Sequence, residues 1–277
     1  MRIAYATDFS AAAAKAHPLA VSLSERLDGT LHTVHVLESY AADTHRHLTP
    51  GVNPLDETRL TQVREERAEE TKRIQERLQA LAGEGGDWDL RFGDPVRELL
   101  QVANASDVMV MGAHGENRLD AYFLGGVAGR LVRRTSIPTL TVREESSVTA
   151  VRRILLATDF SDAATHAWHA LEPWRTAGVE MHAAHVRDAP RYRQDEAYKT
   201  QAHEALSELV GDAARTHVLD GQVAEVLPAY ASEHGFDAVA VGMRRRPGPL
   251  GVLLGSRADA LIRSSDVPVL SVPAPQE

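Results

Sequence analysis

Apolar and polar positions follow two rhythms along the chain, and the rhythms take turns. Ile3–Ala6 is a short apolar run that stops at Thr7-Asp8-Phe9-Ser10, and Ala11 to Leu27 then reads as helix, closed by Asp28-Gly29. Thr30–Leu37 alternates and is rich in β-formers. Residues 40–55 hold Pro50, Gly51, Asn53 and Pro54 and read as loop. From Leu60, the apolar positions Val63, Ile74, Leu78 and Leu81 form one helical stripe on a highly charged segment, which ends at Gly83-Glu84-Gly85-Gly86. Trp88–Phe92 predicts a strand, Gly93-Asp94-Pro95 opens a helix through Leu100, and Val108–Met111 predicts a buried strand. Leu124–Arg134 is the next helix and Thr139–Val142 the next strand. Strands alternating with helices indicate a parallel sheet covered on both faces.

The same order then recurs. Strands are predicted at Ile154–Ala157, Val179–Val186, Thr216–Leu219, Ala238–Val241 and Val269–Ser271, with helices near 162–177, 195–214, 223–234 and 256–263. The wording recurs as well. Ile3-Ala-Tyr-Ala-Thr-Asp-Phe-Ser10 is echoed by Ile154-Leu-Leu-Ala-Thr-Asp-Phe-Ser161, and Asp107-Val-Met-Val-Met-Gly112 by Asp237-Ala-Val-Ala-Val-Gly242. Ser136-Ile-Pro-Thr-Leu-Thr-Val142 is echoed by Asp266-Val-Pro-Val-Leu-Ser-Val272. Matched order at both ends of both halves is an internal duplication. It predicts two domains, 1–143 and 151–277, each long enough to bury its own core, joined by the polar linker Glu144–Thr149. The second half is shorter between its second and third strands. Each five-stranded βα unit is expected to carry its ligand at the carboxyl ends of the strands, where strand order reverses.

Composition narrows the class. Hydrophobic residues are 43% and charged residues 25%, as in soluble globular chains. No apolar stretch is long enough for a membrane span, and Asp8 interrupts the first apolar run too early for a signal-peptide core. The absence of cysteine removes disulfide and thiol chemistry and fits a cytoplasmic location. A net charge of −9 argues against broad nucleic-acid binding. No membrane or nucleic-acid partner is therefore expected.

The chemistry converges on the strand ends. Gly112-Ala-His-Gly115 follows a strand, and Gly125-Gly126 precedes Val127 at a helix start. Backbone N–H groups at a helix start attract anions, and glycine lets phosphate oxygens approach. The plain alternative is a tight strand–loop–helix turn. Gly-x2-Gly-x9-Gly-(Ser/Thr) after the fourth strand, Ala-Thr-Asp after the first, His-Val ending the second, Gly-Asp-Pro before the third helix and Pro-x-Leu-x-Val at the end together resemble universal stress proteins. The likeness covers almost the whole chain, twice. It implies a tandem of two flavodoxin-like (adenine nucleotide alpha hydrolase-like) α/β domains of strand order 3-2-1-4-5, which often bind ATP or AMP.

Carried onto this chain, the resemblance nominates Ala6, Thr7, Asp8, Val36, Met111, Gly112, His114, Gly115, Gly125, Gly126 and Val127 in the first half. In the second it nominates Ala157, Thr158, Asp159, Val186, Gly242, Arg245, Gly255 and Ser256. Both halves depart from the motif. Gly126 lacks the hydroxyl expected there, a loss of about 1 kcal/mol as one hydrogen bond. Arg245 stands where the second glycine belongs, while Gly255-Ser256 is kept. Arg244-Arg-Arg246 either supplies charge to phosphates or forms a solvated loop, and the solvated loop is favoured. Asp8 and Asp159 either lie near the adenosine, as the resemblance implies, or cap the helix that follows. The first half is expected to bind the nucleotide, because a lost hydroxyl costs less than a filled phosphate space.

Other chemistries lack their parts. His32-x2-His35 and His182-x2-His185 are not metal pairs, because residues three apart on a strand face opposite ways. No metal is expected beyond Mg carried by ATP. There is no Gly-x-Ser-x-Gly elbow and no Gly-x4-Gly-Lys-(Ser/Thr) loop. A phosphotransfer receiver would need an acceptor Asp ending the third strand, which only Asp220 offers. Slow ATP hydrolysis stays open, with no general base to nominate. The leading expectation is a regulatory nucleotide-binding module with a protein partner. The alternative is a scaffold with degraded pockets, acting through protein contacts or another ligand. The proline-led, β-prone strands 139–142 and 269–272 are expected to join the halves as an internal pseudo-dimer, since edge strands invite pairing.

Overall fold

The computed structural model describes residues 1–38, 57–113, 126–193, 195–244 and 256–275. The loop expected at 40–55 lies outside them, as do most of the two glycine loops. The first half runs β1 (Arg2–Ala6), α1 (Ala11–Arg26), β2 (Thr30–Leu37), α2 (Glu57–Ala82), β3 (Asp87–Phe92), α3 (Pro95–Ala103), β4 (Val108–Gly112), α4 (Val127–Arg134) and β5 (Thr139–Val142). The second runs β6 (Arg153–Ala157), α5 (Asp162–Ala170), α6 (Glu172–Thr176), β7 (Glu180–Arg187), α7 (Pro190–Arg193), α8 (Glu196–Val210), β8 (Arg215–Asp220), α9 (Val223–Glu233), β9 (Ala238–Met243), α10 (Ser256–Ser264) and β10 (Val269–Pro273).

Strand order in each half is 3-2-1-4-5, the flavodoxin-like order, and strands within a half are parallel. The two sheets fuse into one ten-stranded sheet, β3-β2-β1-β4-β5-β10-β9-β6-β7-β8. The joint is the antiparallel pair β5–β10, with Leu140 opposite Leu270 and Thr141 opposite Val269. Thr141 Oγ1 also donates to Val269 O at 3.2 Å. Beyond the strands, Arg133 reaches across the joint to Asp259 at 3.3 Å. One apolar cluster on a single face runs through both halves, from Ile3, Leu19 and Leu23 to Leu140, Leu270, Ile154 and Trp174. On the other face, Val132 of the first half packs into the cluster of the second.

Local chemistry sets the element ends. Ser10 caps α1 and Ser161 caps α5, each accepting from the backbone three residues on. Asp94 caps α3 with Pro95 in its first turn, and Asp195 caps α8. The single helix expected over 162–177 is in fact two. Pro173 lies in the first turn of α6, so the break falls at Leu171. The helix expected to 214 stops at Val210, because Gly211 takes φ 56°. The short helix α7 is an addition to the expected elements. The linker is also less solvated than its polar residues suggest. Ser146 is fully buried, as is Val151 just beyond the linker.

Gly112 and Gly242 have a structural task at the end of the fourth strand of each half. A Cβ on Gly112 would lie 2.8 Å from Ala13 N, against the first turn of α1. On Gly242 it would collide with the backbone of Ala163 and lie 2.7 Å from Ala164 N. Close approach of the helix backbone, rather than phosphate access alone, demands glycine there. Gly242→Ala is expected to lower stability by about 1–3 kcal/mol through overpacking, and Gly112→Ala by less, both measurable by urea denaturation.

Candidate functional site

The sharp turn after the first strand is built identically in both halves. Thr7 N donates to Val34 O at 2.9 Å, and Thr158 N donates to Ala184 O at 2.9 Å. The Thr7 hydroxyl accepts from Phe9 N at 3.0 Å, and that of Thr158 from Phe160 N at 2.9 Å. Asp8 accepts from Ser10 N at 3.0 Å, and Asp159 from Ser161 N at 3.1 Å. The capping reading of the two aspartates is thereby corrected. The helix caps are Ser10 and Ser161, and each carboxylate holds the turn just before its cap.

These bonds force Phe9 to φ 61° and Phe160 to φ 59°. A non-glycine residue in the left-handed region is strained by about 1–3 kcal/mol, and such strain gathers at functional sites. The turn lays each phenyl ring on a histidine, 4.9 Å from His35 and 4.5 Å from His185. His35 Nδ1 donates to Thr7 O at 2.7 Å and His185 Nδ1 to Thr158 O at 2.9 Å. Burial holds the His35 pKa below its ordinary value, against the pull of the Thr7 carbonyl. Its neutral form therefore dominates near pH 7.

In the second half this turn walls a cleft of ≈ 840 Å³ at the carboxyl ends of β6, β7 and β9. That is where strand order reverses, the ligand position of open α/β sheets. The cleft brings together Ala157, Thr158, Asp159, Val186 and Gly242. Asp159 is titrated by opposing causes: burial raises its pKa, but hydrogen bonds at Ser161 and the Arg244 charge bring it below the usual value. Arg244 Nη2 lies 3.7 Å from its Oδ2. Ser256 opens α10, while Arg245 and Gly255 lie outside the described residues.

In the first half Ala6, Thr7, Asp8, Val36, Met111 and Gly112 occupy the matching strand ends. Ala6, Thr7 and Met111 are buried. Gly126 is the N-cap of α4 and gives it no side-chain hydrogen bond, and Val127 begins the helix. His114, Gly115 and Gly125 lie outside the described residues. The nominations missed the residues that finish the second cleft: Arg187, Asp188, Tyr192 and Tyr198. The signal was present in the strand register. Arg187 opposite Asp220 replaces Leu37 opposite Phe92. Asp220 is thus an ion-pair partner of Arg187, Nε to Oδ1 at 2.7 Å, rather than a free acceptor carboxylate.

The universal stress protein family model matches residues 1–143 and again 150–273, and the chain belongs to that family. Universal stress protein Rv2005c of Mycobacterium tuberculosis is 26% identical over 209 residues, 66% of this chain and 67% of its own. Universal stress protein G of Shigella flexneri is 33% identical over 139 residues, 49% of this chain and 95% of its own. Among solved structures, a universal stress protein from Archaeoglobus fulgidus DSM 4304 shares the fold, with TM-score 0.67 and 21% identity, covering 98% of this chain and 97% of its own. No helix of the described residues is long and apolar enough to cross a membrane.

The other histidine of each pair points to the opposite side of its strand, and His182 is not among the residues that line the cleft. His32 Nδ1 lies 2.9 Å from Asp87 Oδ2. In the second half a chain forms: Glu180 Oε1 to His182 Nε2 at 2.7 Å, His182 Nδ1 to His217 Nε2 at 2.8 Å, and His217 Nδ1 to the Tyr230 hydroxyl at 3.0 Å. A carboxylate only accepts, so with both rings neutral the direction is fixed. Tyr230 donates to His217, His217 to His182, and His182 to Glu180. Burial first, then the nearby His182, lowers the His217 pKa from 6.5 to about 4. The unfolded chain therefore binds the extra proton first. Stability from this group is complete above about pH 6.5 and is lost as pH falls toward about 4. The melting temperature is expected to drop across that window, and less steeply in His217→Gln. Equal slopes would assign the acid sensitivity elsewhere.

Proposed function

We propose that this chain is a regulatory module that binds an adenine nucleotide, ATP or AMP, at the carboxyl ends of its strands. It acts in the cytoplasm and through a protein partner. The observation that carries the reading is the strained Thr-Asp-Phe-Ser turn, built twice with the same bonds and, in the second half, set on the wall of a cleft at the reversal of strand order. Strain of this kind needs a reason, and presenting a carboxylate to a ligand supplies one. Family membership supports the same reading.

The first half is proposed as the tighter site. The motif glycines Gly115 and Gly125 carry no side chain that would crowd a phosphate, and the N–H groups in the first turn of α4 can donate to an anion. The second half carries Arg245 at the sequence position of the motif's second glycine. The second reading is a scaffold whose pockets no longer hold nucleotide. It draws on Asp159, whose carboxylate already faces Arg244.

Titration of ATP separates them. Gly115→Arg is expected to weaken the tighter binding at least tenfold, while Asp159→Ala leaves it within about twofold. The reverse pattern would make the second half the working site, and no binding to the wild type would favour the scaffold. Gly126→Ser restores a hydroxyl at the helix start and is expected to tighten ATP about fivefold, the equivalent of about 1 kcal/mol for one hydrogen bond.

A further inference from the structure

Arg187 is 3% exposed. A buried guanidinium is tolerated only when its charge and its donors are matched. Here the match is close. Nε and Nη2 meet the two carboxylate oxygens of Asp220 at 2.7 and 2.9 Å, the paired geometry that arginine favours. Nη1 donates to two main-chain carbonyls, Tyr192 O at 2.9 Å and Asp195 O at 3.0 Å. Both carbonyls belong to the connection between β7 and α8. One side chain, anchored on the neighbouring strand, therefore draws that connection back over the end of the sheet.

The aromatic rings beside the cleft follow from this tie. Tyr192 stacks on Tyr198, with centroids 4.4 Å apart and planes at 16°. The Tyr198 hydroxyl donates to His185 Nε2 at 3.1 Å, the nitrogen left as acceptor once Nδ1 donates to Thr158 O. His185 in turn lies on Phe160. Three of these rings, His185, Tyr198 and Tyr192, line the cleft. Among the described residues of the first half, Leu37 faces Phe92 at the equivalent place, and the Arg77 guanidinium lies 3.9 Å over the Phe9 ring.

We propose that Arg187 is a positioning residue that holds Tyr192 and Tyr198 as an aromatic wall, and that this wall makes the second cleft select a ligand that carries a planar aromatic base. Planar bases stack on aromatic rings whatever their hydrogen-bonding edge, so the wall favours a base over a bare sugar phosphate. The identity of the ligand rests on the nucleotide reading above. The tie itself does not.

Two measurements separate the two parts. The first is amide hydrogen exchange on the nucleotide-free full chain. Arg187→Leu is expected to raise exchange at least tenfold in the peptide carrying Tyr192 and Tyr198, with Arg187→Lys intermediate. Protection in β6 and β9 should persist, which reports that the fold is intact. Unchanged exchange in the Tyr192 peptide would overturn the positioning role. The second compares AMP with ribose 5-phosphate in the Gly115→Arg background, where binding at the first half is weakened, and follows the part of the signal that Tyr192→Ala removes. AMP should bind at least tenfold more tightly, and Tyr192→Ala should erase most of that margin without changing ribose 5-phosphate. Equal binding of the two probes, or a Tyr192→Ala margin as large as that of the parent, would overturn base selection. If AMP binds neither half of the wild type, the nucleotide reading and base selection both fail, and the exchange result alone decides the tie.

Discussion

The antiparallel contact between β5 and β10 governs the rest of the molecule. Each half ends on a short, strongly β-prone strand at the edge of its own sheet. An open edge exposes unpaired N–H and C=O groups and invites pairing with another chain. Here each edge is satisfied by the other, and the apolar cluster behind the sheet continues unbroken through the joint. A four-residue strand supplies few ladder bonds. The shared core, with the Arg133–Asp259 pair beside it, therefore carries much of the attachment. The antiparallel sense also has a geometric result. Strands are parallel within each half and opposed across the joint, so the carboxyl ends of the two halves point to opposite edges of one sheet. The strand ends of one half are therefore separated from those of the other by the length of the strands, and the described contact between the halves runs through the β5–β10 pair and the shared core.

Within each half, the decisive constraint is the close approach of the first helix to the fourth strand. Gly112 and Gly242 allow the backbone of that helix to touch the sheet. The contact fixes where the helix begins, and the serine caps and aspartate turns follow from that start. The left-handed phenylalanines are the visible cost of fitting a strand, a turn and a cap into so few residues. The carboxylates of Asp8 and Asp159 are thereby placed by main-chain geometry rather than by their own rotamer preference.

Much of this was legible in the sequence, for identifiable reasons. The duplicated phrases around Thr7-Asp8 and Thr158-Asp159 mark local turns, and local turns are written in neighbouring residues. Strand order followed from the resemblance that those phrases carry. The helix break at Leu171 was also written locally, in Pro173, although the apolar pattern across it read as continuous. What stayed hidden depended on register between strands. Arg187 and Asp220 are 33 residues apart and meet only because β7 and β8 pair one particular way. The chain from Glu180 to Tyr230 is of the same kind, drawing on β7, β8 and α9. Each of those residues, read alone, is an unremarkable charge or ring.

The hidden residues are also the ones that distinguish the halves. Where the first half has Leu37 and Phe92, the second has a buried ion pair; where the first has Asp89 on β3, the second has His217 on β8. A duplicated domain keeps what its backbone requires, and the fourth-strand glycines Gly112 and Gly242, the serine caps and the strained turns are kept. Side chains that answer only to a neighbouring strand are free to change without moving the frame. Replacing an apolar pair by a salt bridge at the sheet end gains little stability by itself, since burying the charge offsets the attraction. Its value lies in what the guanidinium reaches next, the two carbonyls of the following connection. The same frame thus carries two sets of strand ends that differ chemically, and the difference is concentrated where Arg187 and Asp220 replace Leu37 and Phe92.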